Sequence, residues 1–130
     1  MSTAVAFTVP GQPVPAKRMT RNGKFVRPEA SRHLAHKEVI GWAALEARRS
    51  ARLPLPWFDG PVRLTMRFYG AHPLADLGNC VKLVEDGLKG IAYSDDRFVK
   101  QYGTGTGMYD CPRAEARTEI IVEPLERSDV

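Results

Sequence analysis

Asn79, Lys82 and Asp86 stand at offsets of 0, +3 and +7 in this chain. On a helix that spacing places all three within about a 60° wedge of one face. Asp76 lies just before the segment, and the pair Asp95-Asp96 just beyond it. A chain that turns back at Gly90 brings the pair towards Asp76. Carboxylates gathered from separate elements are how proteins hold Mg²⁺, which takes oxygen ligands and keeps several waters. A lysine beside such a cation stabilises negative charge building on a phosphate oxygen. Each piece also has a plainer reading. Lys82 and Asp86 suit a surface ion pair worth about a few tenths of a kcal/mol. Asp95-Asp96 after Ser94 suits a turn, and Asp76 suits a helix N-cap.

The elements that must position these groups follow from hydrophobic periodicity. The polar wedge belongs to a helix from about Asn79 to Lys89, with Cys80, Val81, Leu83, Val84 and Leu88 on its apolar side and Gly90 as its stop. Val5, Phe7 and Val9 alternate in a first strand ending at Pro10. Gly11–Pro15 must leave it extended, and 16–27 reads as a basic loop or short hairpin around Asn22-Gly23. Pro28-Glu29 opens a helix running to about Arg49. Its apolar stripe is read as Leu34, Ala35, Val39, Trp42, Ala43 and Leu45, with His33, Lys37 and Arg48 projecting away. The clearest strand is Val62–Phe68, with Val62, Leu64, Met66 and Phe68 inward and Arg63, Thr65 and Arg67 outward. A Gly-rich strand over Arg97–Thr106 and a last strand through Ala116, Thr118, Ile120 and Val122 complete the order. This predicts one α+β domain over 1–130, a single mixed β-sheet with two helices packed on it, a basic loop over 11–27 and a frayed tail over 127–130.

Composition agrees with such a domain. The chain has 130 residues, 43% hydrophobic and 26% charged, enough for a core without staples and far from a disordered composition. No apolar run approaches a membrane span, Met1-Ser2-Thr3 lacks the basic start of a signal peptide, and Cys80 and Cys111 lack zinc-site spacing. A cytoplasmic, reduced location and no membrane partner are expected. The charge is asymmetric. Residues 1–60 carry ten Lys and Arg against four acids, a balance of +6; residues 61–130 carry nine against eleven, a balance of −2; together they give the chain's +4. Such a pattern suits a basic half that holds a polyanion and an acidic half that holds metal, or simply a basic surface. Lys17, Arg18, Arg21, Lys24 and Arg27 form the densest group of cations.

The stretch from Asp76-Leu77-Gly78-Asn79 through Lys82 and Asp86-Gly87-Leu88-Lys89-Gly90, then Tyr93-Ser94-Asp95-Asp96, resembles the RusA family of Holliday junction resolvases. That family shows Asp-x-Asp-Asn, a lysine three residues later, Asp-Ala-Leu-Asn-Gly and an Asp-Asp pair. Phe7-Thr8-Val9-Pro10-Gly11-Gln12-Pro13-Val14-Pro15, with Lys17 and Arg18, is similar to the family's first strand and basic loop. The resemblance covers nearly the whole chain. It implies a Mg²⁺-dependent endonuclease, with Mn²⁺ able to substitute, that cuts four-way junctions or other branched DNA in recombination and repair, often encoded by phages and prophages. Asp76 and Asp96 match metal-binding catalytic aspartates, Lys82 matches the essential lysine, and Asp95 is a further metal candidate. Asn79 and Asp86 fall on supporting motif positions. The basic residues Lys17, Arg18, Arg21, Lys24 and Arg27 are expected to bind DNA. Two symmetric nicks imply a homodimer, with Trp57 and Phe58 either in its interface or in a local cluster under a loop.

One position departs from the pattern. Gly78 stands where the family has the second Asp of Asp-x-Asp-Asn, so one carboxylate of the expected metal site is missing. An impaired or inactive nuclease and a junction-binding protein that does not cut are both compatible with that change. A basic interaction protein unrelated to nucleic acid is the third reading.

Overall fold

Strand β2, Val62–Tyr69, is the centre of the molecule. Its inward side chains Val62, Leu64, Met66 and Phe68 are all buried, as the alternation predicts. In the computed structural model, which describes residues 3–16 and 28–126, β2 pairs along its whole length with antiparallel β5, Arg117–Pro124. β1, Val5–Pro10, pairs antiparallel with the far side of β5, in register from Val5 opposite Val122 to Pro10 opposite Arg117. The other edge of β2 is shared by two short parallel strands, β3 over Val99–Tyr102 and β4 over Gly107–Tyr109. The result is a single mixed five-stranded sheet with two helices, an α+β fold. The C-terminal part of the basic loop (17–27) and the tail (127–130) lie outside the described residues.

The expected strand over Arg97–Thr106 is broken in the structure. Asp96–Phe98 form a short 3₁₀ turn, β3 ends at Tyr102, and β4 is an additional strand. Between β3 and β4 the Gly103 N–H donates to the Leu64 carbonyl at 2.7 Å, and the Met66 N–H donates to Thr106 Oγ1 at 3.2 Å. A side-chain hydroxyl thus replaces one rung of the ladder. Gly103 passes so close over Thr65 that a Cβ there would collide with Thr65 Oγ1 and lie 3.1 Å from its Cβ. Thr65 is itself buried and cannot swing away freely. Gly103→Ala is therefore expected to destabilise the fold by about 1–3 kcal/mol through overpacking. Urea denaturation should show this, and Gly103→Ala with Thr65→Ala should recover part of the loss.

Helix α1, Pro28–Ala51, starts at the expected proline, but it buries a different face from the one its large apolar residues suggest. Ile40 and Ala44 are fully buried and His33 is nearly so, while Leu34, Trp42 and Leu45 are exposed. Ile40 and Trp42 point about 160° apart around the helix. The reason lies in α2, Leu77–Leu88, which approaches α1 closely. A Cβ on Gly87 would lie 2.9 Å from Ile40 Cγ2 and 3.3 Å from the Lys37 carbonyl oxygen. Gly87 leaves the space that Ile40 fills, so the Ile40–Ala44 face is drawn against α2 and the face carrying Trp42 is left outside. The expected stripe of Leu34, Ala35, Val39, Trp42, Ala43 and Leu45 is thus corrected: only Val39 and Ala43 of that set pack against the core.

The second helix behaves as its pattern predicts. Cys80, Val81, Leu83, Val84 and Leu88 are buried, and Gly90 follows the last turn with a φ of +86° that favours glycine. It begins two residues earlier than expected because Asp76 caps it. As the crossover between β2 and parallel β3, α2 carries the polar wedge on the outside of the core. Trp57, expected as a possible interface residue, is buried instead, edge-on to Phe7 at 5.8 Å and to Phe58 at 6.5 Å. It forms a local cluster under the Pro-rich loop and gives no support to an interface there.

Candidate active site

The polar wedge of α2 has two ends, and the structure equips them differently. At the N-terminal end Asp76 accepts a hydrogen bond from the Asn79 N–H at 3.1 Å, which satisfies one of the helix's free amides. Asp76, Gly78 and Asn79 are all exposed. The backbone at Gly78 has no strained geometry, and a Cβ built there would lie 3.1 Å from Asp76 Oδ1. A side chain at position 78 thus emerges directly beside the Asp76 carboxylate. The Ala16 N–H donates to the Asn79 carbonyl at 2.8 Å, which ties the start of the basic segment to this end of the helix. The proposed DNA-binding residues Lys17, Arg18, Arg21, Lys24 and Arg27 follow directly but lie outside the described residues.

Further along the axis, at 1.5 Å per residue, Lys82 lies about 9 Å from Asp76 and Asp86 about 15 Å. There Lys82 faces Asp86 at 3.9 Å, a loose i,i+4 pair in which the lysine side chain is 64% exposed. Its ammonium remains available to a phosphate at small cost, because an exposed pair contributes little. Asp95 caps the 3₁₀ turn by accepting the Arg97 N–H at 3.1 Å. Its neighbour Asp96 is different: Oδ1 is buried and has no hydrogen-bond partner among the described residues. A buried acceptor left unpaired costs about 1–3 kcal/mol, so such a group in a native fold calls for an unrecorded partner.

Three residues that sequence reasoning did not select, Glu85, Tyr93 and Tyr102, join this end. Tyr102, on β3, donates its hydroxyl to Glu85 Oε2 at 2.8 Å, and the fully buried Tyr93 donates to the Glu85 carbonyl oxygen at 2.8 Å. Burial pushes the Glu85 carboxyl above the ordinary carboxylate range, with Asp96 and Asp86 adding to the rise and the Tyr102 bond and Lys82 opposing it. The Tyr102 hydroxyl is pushed up to about 12, by burial first and then by its bond to Glu85. Burial also raises the Cys80 thiol to about 11, so that cysteine is an inert core residue. Nothing in the local sequence pairs Glu85 with Tyr102; only the parallel crossover brings them together.

The raised Glu85 carboxyl has a consequence for stability. Its contribution is full below the unfolded value of about 4.3 and is lost as pH rises through the raised folded value. Glu85→Gln keeps a carbonyl oxygen for Tyr102 and removes the titration. Between pH 4 and neutrality, the stability of the metal-free wild type should fall relative to that of Glu85→Gln. Urea denaturation at a series of pH values measures this, and a constant difference would contradict it.

The donors at both ends are carboxylate oxygens, which suit a hard divalent cation, and the orphaned Asp96 Oδ1 is a ready ligand. Among the described residues, no three His, Cys, Asp or Glu side chains gather closely enough to hold one ion. A concavity of about 1110 Å³ between β1, the C-terminal half of α1 and Trp57 contains none of the aspartates selected from sequence. The polar wedge is an open surface, as a long polymeric substrate requires.

The family model described as Endodeoxyribonuclease RusA matches residues 10–123, from the end of β1 to the end of β5. No curated protein matches the chain significantly. Within the described residues no helix is long and apolar enough to cross a membrane. The match takes in β2 to β5 and both helices, and with them the capped helix that carries Asp76, Asn79 and Lys82: the chain belongs to the RusA endodeoxyribonuclease family.

Proposed function

We propose that this chain is a metal-dependent endodeoxyribonuclease that binds four-way junctions as a homodimer and nicks them symmetrically, with cleavage impaired by Gly78. Family membership, which implies Holliday junction resolvase activity, carries this reading. The orphaned Asp96 Oδ1 supports the metal assignment. Asp76 at the start of the wedge and Asp96 beyond its end, with Asp95 as a further candidate, would each offer a carboxylate to Mg²⁺ or Mn²⁺. When bound, the ion supplies an activated water and neutralises charge on the scissile phosphate.

The chain's own residues do the rest. Lys82 exchanges its loose contact with Asp86 for a phosphate oxygen and stabilises the charge that grows there. Asp76 and the Tyr102–Glu85 hydrogen bond fix the two ends of the wedge. Lys17, Arg18, Arg21, Lys24 and Arg27, which follow Ala16 in the sequence, would grip the DNA backbone. If Lys17, Arg18, Arg21, Lys24 and Arg27 neutralise phosphates, log affinity falls with log salt by about 0.9 per contact. Lys17→Ala with Arg18→Ala should weaken binding to every DNA and lower that slope by nearly two. An unchanged slope in filter-binding titrations would remove this segment from the interface.

The decisive experiment pairs a junction-cutting assay in Mg²⁺ or Mn²⁺ with a gel shift in chelator. Symmetric nicks establish the nuclease. Tight junction binding without cutting selects the second reading, a non-cleaving junction-binding protein, which Gly78 specifically favours.

A further inference from the structure

The face of the sheet turned away from the core carries a row of stacked side chains. Tyr69 on β2 stands opposite Arg117 on β5 and opposite Tyr109 on β4. The Arg117 guanidinium lies 4.1 Å from the Tyr69 ring centroid, and the Tyr69 and Tyr109 rings stack at 5.1 Å with their planes 25° apart. Contacts of this kind between neighbouring strands stabilise a sheet, which accounts for Arg117 and Tyr69. Tyr109 differs because it is the last in the row. β4 pairs with β2 alone, and Tyr109 is 39% exposed with no other ring contact among the described residues. Its hydroxyl donates to the Gly105 carbonyl oxygen at 2.5 Å, which holds the ring in place from its edge. A fixed ring with an open face accepts one more flat ring at low cost in side-chain entropy.

A cation stands beside it. Of the arginines on this face, Arg63 faces Glu123 at 3.6 Å and Arg117 holds Glu119 at 2.9 Å, so both are compensated. Arg67 is half-buried and makes no ion pair or hydrogen bond among the described residues. A Cβ built on Gly105 would lie 2.8 Å from Arg67 Nη2 and 2.9 Å from its Nε. The guanidinium thus lies against the same residue whose carbonyl Tyr109 holds. An uncompensated guanidinium and an open ring, joined through one residue, complement the two parts of a nucleotide, its phosphate and its base.

We infer that Tyr109 and Arg67 form a nucleotide subsite, in which Tyr109 stacks on an unstacked base of branched DNA and Arg67 holds a phosphate of the same strand. Within a continuous duplex both faces of every base are covered by its neighbours, so only a base at a break in the stacking can lie on Tyr109. A branch point supplies that break. The inference rests on the reading of this chain as a nuclease of branched DNA and adds a means of telling a branch from plain duplex. The subsite is tied to α2 through the backbone. The Gly70 N–H donates to the Tyr109 carbonyl oxygen at 2.9 Å, and Asp76 follows Gly70 by six residues, at most about 22 Å of extended chain.

The test measures affinity in chelator, by fluorescence anisotropy, for three DNAs. They are a four-way junction, the same junction made abasic at the nucleotides that flank the branch point, and an intact duplex. Stacking of a base on an aromatic ring is worth about 5- to 100-fold in affinity, so the unaltered protein should prefer the intact junction over the abasic one by that factor. Tyr109→Leu, which keeps an apolar side chain against Tyr69 but has no ring, should remove the preference, and Tyr109→Phe should keep it. Both variants should bind intact duplex as the parent does, because no base face is free there. Arg67→Gln should lower the salt slope for the junction by about 0.7–0.9, the mark of one phosphate contact. The abasic comparison changes only the DNA, so it holds even if a variant fails to fold. Equal affinity of the unaltered protein for the two junctions would overturn the inference. So would a preference that survives Tyr109→Leu or vanishes in Tyr109→Phe, or an Arg67→Gln protein with the parent's salt slope. Junction cutting is scored separately. Cutting without the abasic preference removes the subsite and leaves the resolvase reading standing, and the preference without cutting does the reverse.

Discussion

Gly78→Asp is expected to raise metal-dependent junction cleavage at least tenfold, and by as much as about 100-fold or more. Losing even an outer-shell partner of a metal site costs about 10–100-fold, and position 78 stands one step closer than that. The geometry admits the change. Gly78 lies in the first turn of α2 with no strained backbone angle, and its added Cβ would meet only Asp76 Oδ1, at 3.1 Å. The new carboxylate would therefore emerge beside Asp76, in the turn where the helix dipole favours negative charge. Without metal, two adjacent carboxylates repel and disturb the bond from Asp76 to the Asn79 N–H, whose loss costs about 0.5–2 kcal/mol. The metal-free variant should thus be slightly less stable than the parent. Metal should reverse this, because an ion bound only by the folded state stabilises it by mass action. Mn²⁺ should serve at lower concentration than Mg²⁺, which sheds water reluctantly. Junction affinity in chelator should hardly change. Asp76→Asn should abolish the activity of either chain. Full activity in the unaltered protein would mean that another acid has replaced the missing one. No gain from a folded Gly78→Asp protein in excess metal would mean that this end of α2 holds no ion.

How much of this was legible in the sequence depended on how local the deciding physics was. The alternation of Val62, Leu64, Met66 and Phe68 gave β2 its buried face correctly, because period-two burial is a property of the strand itself. The end of α2 was readable from Gly90, whereas its start lies two residues before the expected Asn79, because Asp76, for which capping was only the plainer alternative, caps the helix. The buried face of α1 was not readable. Apolar residues surround that helix, and the choice among them was made by a distant glycine, Gly87, which lets Ile40 approach. Even the plainer readings of the acids proved informative. Asp76 and Asp95 do cap, and Lys82 does pair with Asp86, without excluding a role in chemistry. The Glu85–Tyr102 bond depends on the parallel crossover from β2 through α2 to β3, which no short motif encodes.

Asp96→Asn should separate activity from stability in opposite directions. Asp96 is proposed as a metal ligand, and its Oδ1 is buried with no hydrogen-bond partner among the described residues. A neutral amide oxygen is a much poorer partner for Mg²⁺ than a carboxylate, so cleavage should fall to background even in the Gly78→Asp protein. The metal-free fold, by contrast, should not suffer. Asp96 is one of the charges that keep the Glu85 carboxyl above its ordinary range, and removing that charge relieves the repulsion. The Glu85 titration, followed by carboxyl NMR, should accordingly move down in the variant, while burial still holds it above the unfolded value. Its melting temperature without metal should equal or exceed that of the parent, and the rise that metal gives to Gly78→Asp should disappear. A structural aspartate would behave otherwise. Replacing it would lower the melting temperature with or without metal, while the Glu85 titration, which follows the charge alone, would move down all the same. That result would reassign Asp96 from the site to the framework of the turn. The metal would then have to be sought at the N-terminal end of α2, where Asp76 stands beside the position that Gly78 leaves without a side chain.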